Sequence, residues 1–248
     1  MDPHQITFLL MLGLVAFVLG LAKGGLGGVL GSVAAPLLSL VMPVGQVIGL
    51  LLPLLMVADI PAVGLYWKQW DWKWVRLMLP GAAAGVVAAT FFIVSVPSRL
   101  LQIALGVIVL LFTVYKLAEK RILAGWNYQP EDWHGFLAGA LSGLTSALAH
   151  NGGPPVTIYL LMQKNMTVLS FNATCAIFFA ILNLVKLPFY LFARLIDPGL
   201  LARSLWVIPL MLLGVWLGVR SAQRFDAQTF ERLILALLAM TAIVLIFV

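Results

Sequence analysis

The chain has 248 residues, of which 62% are hydrophobic and only 10% are charged, and its formal net charge is +6. A soluble domain averages about 25% charged residues, so this composition excludes an ordinary soluble fold. Charge-free stretches of about 20 residues, the length of a membrane span, recur along the chain and are apolar on every face. A membrane β-barrel would instead alternate apolar and polar residues. We therefore predict an all-α polytopic membrane protein.

The first apolar segment, about residues 6–41, is interrupted by the sequence LAKGGLGGV. As one straight helix it would be roughly 54 Å long at 1.5 Å per residue, against a hydrocarbon core of about 30 Å. The glycines that include Gly24 and Gly25 lie where a helix would break. We therefore expect two half-helices that meet at this break. No lysine or arginine precedes Lys23, unlike the start of a signal peptide, so we interpret the segment as part of the mature protein.

Three ordinary spans follow, at about 45–66, 75–95 and 99–116, and a polar linker covers residues 119–131. The loop YWKQWDWKW, at residues 66–74, carries an aromatic residue at every second or third position. Tryptophan and tyrosine concentrate at the headgroup level of a bilayer, so this loop predicts contact with lipid rather than with nucleic acid.

The second half opens with LAHNGGPPV at residues 148–156, in which His150 and Asn151 precede Gly152 and Gly153. Two prolines follow, and proline suits the first turn of a helix, where its missing N–H has no partner to lose. Three further spans are predicted at about 167–191, 202–220 and 229–247.

The two halves match at a constant offset of 127 positions, and the glycine and proline matches are the informative ones. The first-half residues Gly25, Pro61 and Arg76 correspond to Gly152, Pro188 and Arg203; after a slip of two residues, Pro80 and Gly85 correspond to Pro209 and Gly214. We predict two repeats of four helical elements, at about 6–118 and 132–247, in a single membrane domain that covers residues 1–248.

The basic residues help to decide whether each broken segment crosses the membrane or turns back. If it crosses, the basic residues divide 8 to 5 between the two sides; if it is a re-entrant hairpin, they divide 10 to 3. The positive-inside rule favours the hairpin, which makes the repeats inverted and puts both termini outside. Inverted repeats with broken helices are common in secondary transporters.

Lys23 lies within an apolar segment, where a charge costs at least about 2.5–3.5 kcal/mol and usually serves a function or has a partner. A helix that starts after Gly25 would direct its free N–H groups at the break, so Lys23, Gly24 and Gly25 predict an anion site. His150, Asn151, Gly152 and Gly153 offer the same arrangement in the second half. The alternatives are a lysine that snorkels to the interface, glycines that serve close packing, and a histidine that only binds a carbonyl group.

Two further charges, Asp59 and Lys186, also correspond at the offset of 127. They could form a structural ion pair, or Asp59 could take up a coupling proton while Lys186 attracts an anion. Asn183 lies three residues before Lys186 on the same helix face and could donate to an oxyanion or to a neighbouring helix.

Signs of catalysis are few. The three histidines show no metal-ligand spacing, no P-loop occurs, and no cofactor is expected. Ser146 and His150 are four residues apart, which would allow a serine–histidine pair but is more typical of helix packing. The single cysteine, Cys175, is interpreted as a small buried hydrophobic residue.

Four stretches, GLAKGGLGG, HNGGPP, VADIPAVGLYWKQWDWK and LNLVKLPFYLFARLID, resemble the TauE/SafE family of bacterial permeases, also called sulfite exporters or sulfonate-uptake permeases. The resemblance extends over nearly the whole chain, from about Gly13 to Val248. Lys23, Gly24 and Gly25, together with Asn151, Gly152 and Gly153, occupy the two glycine-rich motifs of the family. Lys23 itself is a departure, because the first motif of many relatives is richer in glycine and lacks this lysine.

The resemblance implies a multi-pass inner-membrane transporter for sulfite, organosulfonates or related small sulfur oxyanions, driven by an ion gradient. The residues and the resemblance together predict alternating access around a cationic site that is lined by backbone amides, coupled to an ion gradient such as that of protons. The expected partners are the small anion, the lipid bilayer and, as one option, a second copy of the chain in a homodimer. An uncoupled anion channel and, less expected, an intramembrane enzyme are the alternatives.

Overall fold

The computed structural model describes residues 3–26, 31–124, 130–164, 166–221 and 227–247, and every regular element in these ranges is a helix. The α-helices in chain order are α1 (Pro3–Leu21), α2 (Ala34–Leu38), α3 (Val44–Leu65), α4 (Trp72–Ser95), α5 (Ser98–Ala124), α6 (Asp132–Ala149), α7 (Gly153–Leu161), α8 (Val168–Phe192), α9 (Pro198–Ser204), α10 (Val207–Ser221) and α11 (Ala227–Phe247). A π-helical turn, Ala22–Leu26, follows α1.

The helices confirm a multi-pass membrane protein. Five stretches within the described residues are long and apolar enough to cross a membrane, and α9 with α10 makes a sixth if the bent pair forms one span. Large apolar side chains also cover the outside of the bundle: Ile60 is 72% exposed and Phe192 is 92% exposed. Soluble proteins rarely expose contiguous apolar surface of this kind, whereas lipid tails accept it.

The first broken segment stops being α-helical where the sequence predicts. Helix α1 ends at Leu21, and the π turn that follows contains Lys23, Gly24 and Gly25. Helix α1 has 19 residues, and the described part of the second arm contains α2, which has 5. The predicted helix start directly after Gly25 falls in part on residues 27–30, outside the described residues.

The second broken segment reverses direction at His150, whose φ of 51° is left-handed. The prediction for the next residues is confirmed: α7 begins at Gly153, with proline in its first turn and Gly152 as its N-cap. Helix α7 then runs back along α6, since a methyl group at Gly135, near the start of α6, would lie 2.8 Å from the hydroxyl oxygen of Tyr159. The pair is an antiparallel helical hairpin.

The span predicted at 202–220 is wrong in one respect, because a bend of 58° separates α9 from α10. Pro209 lies in the first turn of α10, and a proline ring clashes with the carbonyl group four residues earlier in a continuous helix. Three residues separate Arg76 from Pro80 in the continuous helix α4, but five separate Arg203 from Pro209. The turn at residues 205–206 occupies this longer stretch.

The main helix pairs are α1 with α10, α4 with α6, α5 with α11, and α8 with both α3 and α4. Glycine allows the closest approaches. A Cβ atom at Gly20 in α1 would lie 2.0 Å from the carbonyl oxygen of Met211, and one at Gly139 in α6 would lie 1.9 Å from that of Met78. Without a hydrophobic driving force between helices in lipid, such small-residue contacts stabilise the bundle through van der Waals packing. They also hold the two broken segments against their neighbours.

Candidate functional site

A cavity of about 400 Å³ lies where the two broken segments approach each other. Its wall includes Lys23 from the first break, His150 to Gly153 from the second, and Asn183 and Lys186 from α8. The volume is within the range of small-molecule sites, about 300–1,000 Å³. The structure therefore brings together most of the site residues that were predicted from separate parts of the sequence.

Asp59 in α3 is held from two directions. The ammonium group of Lys23 forms an ion pair with Oδ1, and Nδ2 of Asn183 donates to Oδ2 over 2.6 Å. The Asp59 side chain is 6% exposed and that of Lys23 is 22% exposed. Each oxygen of this buried carboxylate thus has a partner, and the ion pair cancels one positive and one negative charge.

Lys186 in α8 is fully buried, and its partners are all neutral. Its Nζ atom lies 3.1 Å from Oγ of Ser146, 3.5 Å from the Ser146 carbonyl oxygen and 3.2 Å from Nδ1 of His150. No carboxylate of the described residues lies within the 4.0 Å of an ion pair, so the expected alternative of an Asp59–Lys186 pair is not found. Lys23 takes that place.

His150 connects α8 to α3. Its Nε2 atom lies 3.0 Å from the carbonyl oxygen of Ile48, which can only accept a hydrogen bond, so Nε2 carries a proton. Its Nδ1 atom faces the amino group of Lys186, which donates. This assigns His150 as the neutral tautomer with the proton on Nε2. One alternative for this histidine was a hydrogen bond to a carbonyl group, and that bond is present. The ring also contacts Lys186.

Asn151 follows the reversal and is 5% exposed. Its Nδ2 atom has no hydrogen-bond partner among the described residues, and the residue lies in the cavity wall. Beside it, Oγ of Ser142 donates to the carbonyl oxygen of Gly152 over 2.7 Å, which holds the start of α7 in place. A buried amide donor without a partner costs about 1–3 kcal/mol, so a ligand that accepts its hydrogen bond gains that energy.

The glycines divide into two roles. Gly152 and Gly153 line the cavity, and a methyl group at Gly153 would meet no atom within 4 Å. Gly24 does not line it: this residue is buried where a Cβ atom at Gly218 of α10 would lie 3.0 Å from the Gly24 Cα atom. Close packing, one of the alternatives for the first motif, thus accounts for Gly24. The surroundings of Gly25 lie outside what the structure describes.

Sequence reasoning missed other parts of the site. Ser146 was considered only as a partner for His150, yet its hydroxyl lies within reach of Lys186. Among the described residues the hydrogen bond between Ser146 and His150 is a backbone one, from the His150 N–H to the Ser146 carbonyl oxygen over 2.9 Å. At the far end of the cavity, Glu119 accepts from Tyr115 over 2.8 Å and from Lys116 over 2.6 Å. In the sequence, Glu119 lies four residues after Tyr115 and three after Lys116, which is the spacing of side chains that meet on one helix face. Cys175, which was interpreted as a buried hydrophobic residue, also lies in the cavity wall.

The cavity is therefore a polar chamber inside an apolar bundle. One pair of charges, Lys23 and Asp59, cancels, and one further buried amine, Lys186, has only neutral partners. Within the described residues no group of three or more histidine, cysteine or acidic residues could hold a metal ion. The arrangement favours a small anion, because a negative charge would complement the amine and an oxygen atom would accept from Asn151.

No curated protein and no solved structure matches the chain. A family model described as Sulfite exporter TauE/SafE matches residues 12–245, which is nearly the whole chain. With this match and the helical bundle described above, the chain belongs to the TauE/SafE sulfite exporter family of membrane transporters.

Proposed function

We propose that this protein is a secondary active transporter of small sulfur oxyanions, such as sulfite or organosulfonates, in the bacterial inner membrane. The anion binds in the cavity, and alternating access coupled to an ion gradient, with protons as the ion, moves it across. Lys186 supplies the positive charge, and Lys23 lines the same cavity while paired with Asp59. Asn151, Asn183 and the backbone at Gly152 and Gly153 supply hydrogen-bond donors.

The observation that carries this proposal is the environment of Lys186. A buried cation without a carboxylate partner is costly, and intramembrane charges of this kind usually mark a substrate or ion pathway. The cavity beside Lys186 is large enough for a small anion that would supply the missing negative charge. A structural lysine would instead be expected to have a fixed acidic partner, as Lys23 has in Asp59.

The helix contacts support re-entrant hairpins. We use the name linker end for the end of the bundle at which residues 66–71 connect α3 to α4. Lys73 Nζ lies 3.7 Å from the carboxylate of Asp132, at the start of α6, and the Asp71 N–H donates to Thr174 Oγ1, in the second turn of α8, over 3.0 Å. Both α6 and α8 therefore begin at the linker end. The hairpin of α6 and α7 between them starts and ends at that end.

The chain enters and leaves the first broken segment at the opposite end of the bundle. Gly13 lies against Trp206 and Gly20 against Met211, so α1 runs parallel to α10. Because α8 begins at the linker end, α10 begins at the opposite end, and α1 starts there too. Helix α3 ends at the linker end and so begins opposite it. These directions support two inverted repeats, each with one hairpin and three crossings.

The lining of the cavity and the packing at the opposite end of the bundle support an alternating-access mechanism. At the linker end its wall includes Tyr66, Lys116 and Phe171, which are near the ends of three different helices. At the opposite end the start of α3 is packed tightly: a Cβ atom at Gly49 would lie 1.8 Å from the carbonyl oxygen of Leu195. Cavity-lining residues at the linker end and close helix packing at the opposite end support a carrier over a continuously open channel.

Flux of radiolabelled sulfite into proteoliposomes, with and without an imposed pH gradient, tests the transport function. We expect gradient-driven accumulation by the parent protein and its loss in Lys186→Met. Sulfite flux that is the same with and without the pH gradient would favour the uncoupled channel. Absence of flux for sulfite, thiosulfate and methanesulfonate alike would contradict the proposal.

Single cysteines in a Cys175→Ala background test the topology, with a membrane-impermeant thiol reagent as the probe. Re-entrant hairpins predict that Lys68→Cys and Lys164→Cys react from the same side and that Arg99→Cys reacts from the other. If the broken segments cross the membrane, Lys164→Cys reacts together with Arg99→Cys instead. A crosslinking trial on the same variants in membranes would test the homodimer.

A further inference from the structure

We propose that Lys186, and not Asp59, is the residue that carries the coupling proton: its amine takes up a proton when the anion binds beside it and releases the proton with the anion. This rests on the transport function proposed above and identifies the group in the cavity that couples the anion to protons.

Asp59 is poorly placed for this task. Both of its oxygens accept hydrogen bonds from nitrogen donors, the ammonium group of Lys23 and the amide of Asn183. A protonated carboxyl group would direct its own hydrogen at one of these donors and would leave Lys23 without a counter-ion. Asp59 therefore acts as the fixed counter-ion of Lys23 and holds the π turn against α3.

Lys186 has the opposite surroundings. It is fully buried, and its three contacts, at 3.1 to 3.5 Å, are to neutral groups of Ser146 and His150. An ammonium group is strongly disfavoured in an apolar interior unless an anion compensates it. A lysine amine can lose its proton when buried, which an arginine does not do in proteins.

None of the other titratable groups that the structure describes around this amine forms an ion pair with it. Asp59, on α3, is already paired with Lys23, on the π turn. His150, after α6, is the neutral tautomer described above. On α8 itself, the Tyr190 hydroxyl donates to the carbonyl oxygen of Ala147, and Cys175 lies in the cavity wall. A substrate anion is then the counter-ion that Lys186 lacks.

The proton balance is simple. In the empty carrier Lys186 is a neutral amine that hydrogen-bonds to His150 Nδ1 and to Ser146. One proton from the side where the anion binds converts the amine to ammonium. The ion pair crosses as the carrier changes its open end, and both the proton and the anion leave on the other side. The process is proton–anion symport, so the anion accumulates on the alkaline side.

The test is exchange of methanesulfonate across proteoliposomes at equal pH on both sides, which requires binding and alternation but no net proton movement. Methanesulfonate is the anion of a strong acid and does not itself titrate in the range used. Because one proton binds with each anion, the KM should rise about tenfold per pH unit once the pH exceeds the value at which Lys186 loses its proton. The series runs from about pH 6 to about pH 9, below the ordinary range of lysine.

The matched variants are Lys186→Arg and Lys116→Arg. Arginine keeps its proton, so Lys186→Arg should exchange methanesulfonate with a KM that does not change with pH and should lose pH-driven accumulation. Lys116 is also in the cavity wall but is paired with Glu119, so the same substitution there should keep the rise in KM.

A parent KM that is flat across the pH series would overturn the assignment while exchange itself upholds transport. Pronounced pH-driven accumulation by Lys186→Arg would overturn it as well. If that variant does not reach the membrane, the KM series of the parent decides alone. If methanesulfonate is not exchanged, thiosulfate, another strong-acid anion, replaces it, and no exchange of either anion or of sulfite would contradict the transport function itself.

Discussion

The two breaks of this bundle share one plan but carry different charges. In the first, Lys23 reaches Asp59, 36 residues later; in the second, His150 reaches Lys186, also 36 residues later. Both members correspond at the sequence offset of 127. The first pair is a cation with an anion, whereas the second is a neutral ring with an amine.

The two pairs differ in charge, so we expect residues at equivalent positions of the two breaks to have different roles. In the balanced pair a buried carboxylate and its ammonium partner satisfy each other, so removing one of them alone is costly. In the unbalanced pair Lys186 becomes positively charged when it takes up a proton, and no acidic side chain of the described residues lies within ion-pair distance of it. The two pairs are also tied together, since Asn183 beside Lys186 donates to Asp59, and His150 donates to Ile48. These hydrogen bonds connect the two breaks through α3 and α8.

The largest expected effect is on the balanced pair. Lys23→Met leaves Asp59 buried without a cation, and removing one partner of a buried pair costs 3–5 kcal/mol; with Lys23 partly exposed, we expect about 3 kcal/mol. Thermal unfolding of the purified protein in detergent measures it. The double variant Lys23→Met with Asp59→Asn should recover most of the loss, and a double variant no more stable than the single one would contradict the pairing.

Lys186→Met should act in the opposite direction on stability. It removes a buried amine that has no charged partner, so we expect no loss and a gain of up to about 2 kcal/mol. Transport should suffer, because a hydrogen bond to a charged group contributes about 1.5–3 kcal/mol, which corresponds to a KM increase of roughly 10- to 100-fold. The same unfolding assay and sulfite flux give both numbers. A variant as unstable as Lys23→Met would remove the distinction between the two breaks.

The two asparagines of the site provide a smaller contrast. Asn151→Leu removes an amide without a partner and should keep stability while raising KM about tenfold. Asn183→Leu removes the donor to Asp59 and should lower the free energy of unfolding by about 1–2 kcal/mol. Measured side by side, equal destabilisation by both substitutions would show that Asn151 has a structural partner after all.

The smallest effects are expected at glycines. Gly218→Ala places a Cβ atom 2.6 Å from the carbonyl oxygen of Leu21, against the first break, and should cost about 1 kcal/mol or more. Gly153→Ala, at the second break, meets no atom within 4 Å and should change stability by less than about 0.5 kcal/mol. A reversed order in the unfolding midpoints would mean that the second break is packed more tightly than the structure has it.

Much of the helix plan can be predicted from the sequence, because the length of an apolar run and the positions of glycine and proline act locally. The second break is the best case: the prolines that follow Gly153 mark the first turn of α7. The bend between α9 and α10 was missed, although the longer spacing before Pro209 was visible. Whether extra residues extend a helix or form a turn depends on what packs around them.

The candidate site divides in the same way. The sequence by itself determined that charges at residues 23, 59 and 186 lie in apolar segments, because charge and hydropathy are properties of the residues alone. Only the tertiary structure decided that Asp59 pairs with Lys23 and that Lys186 has no acidic partner among the described residues, because the choice depends on which side chains the helix packing brings within 4 Å. That choice makes one break an ion pair and leaves the other with a buried amine whose charge a bound anion would balance.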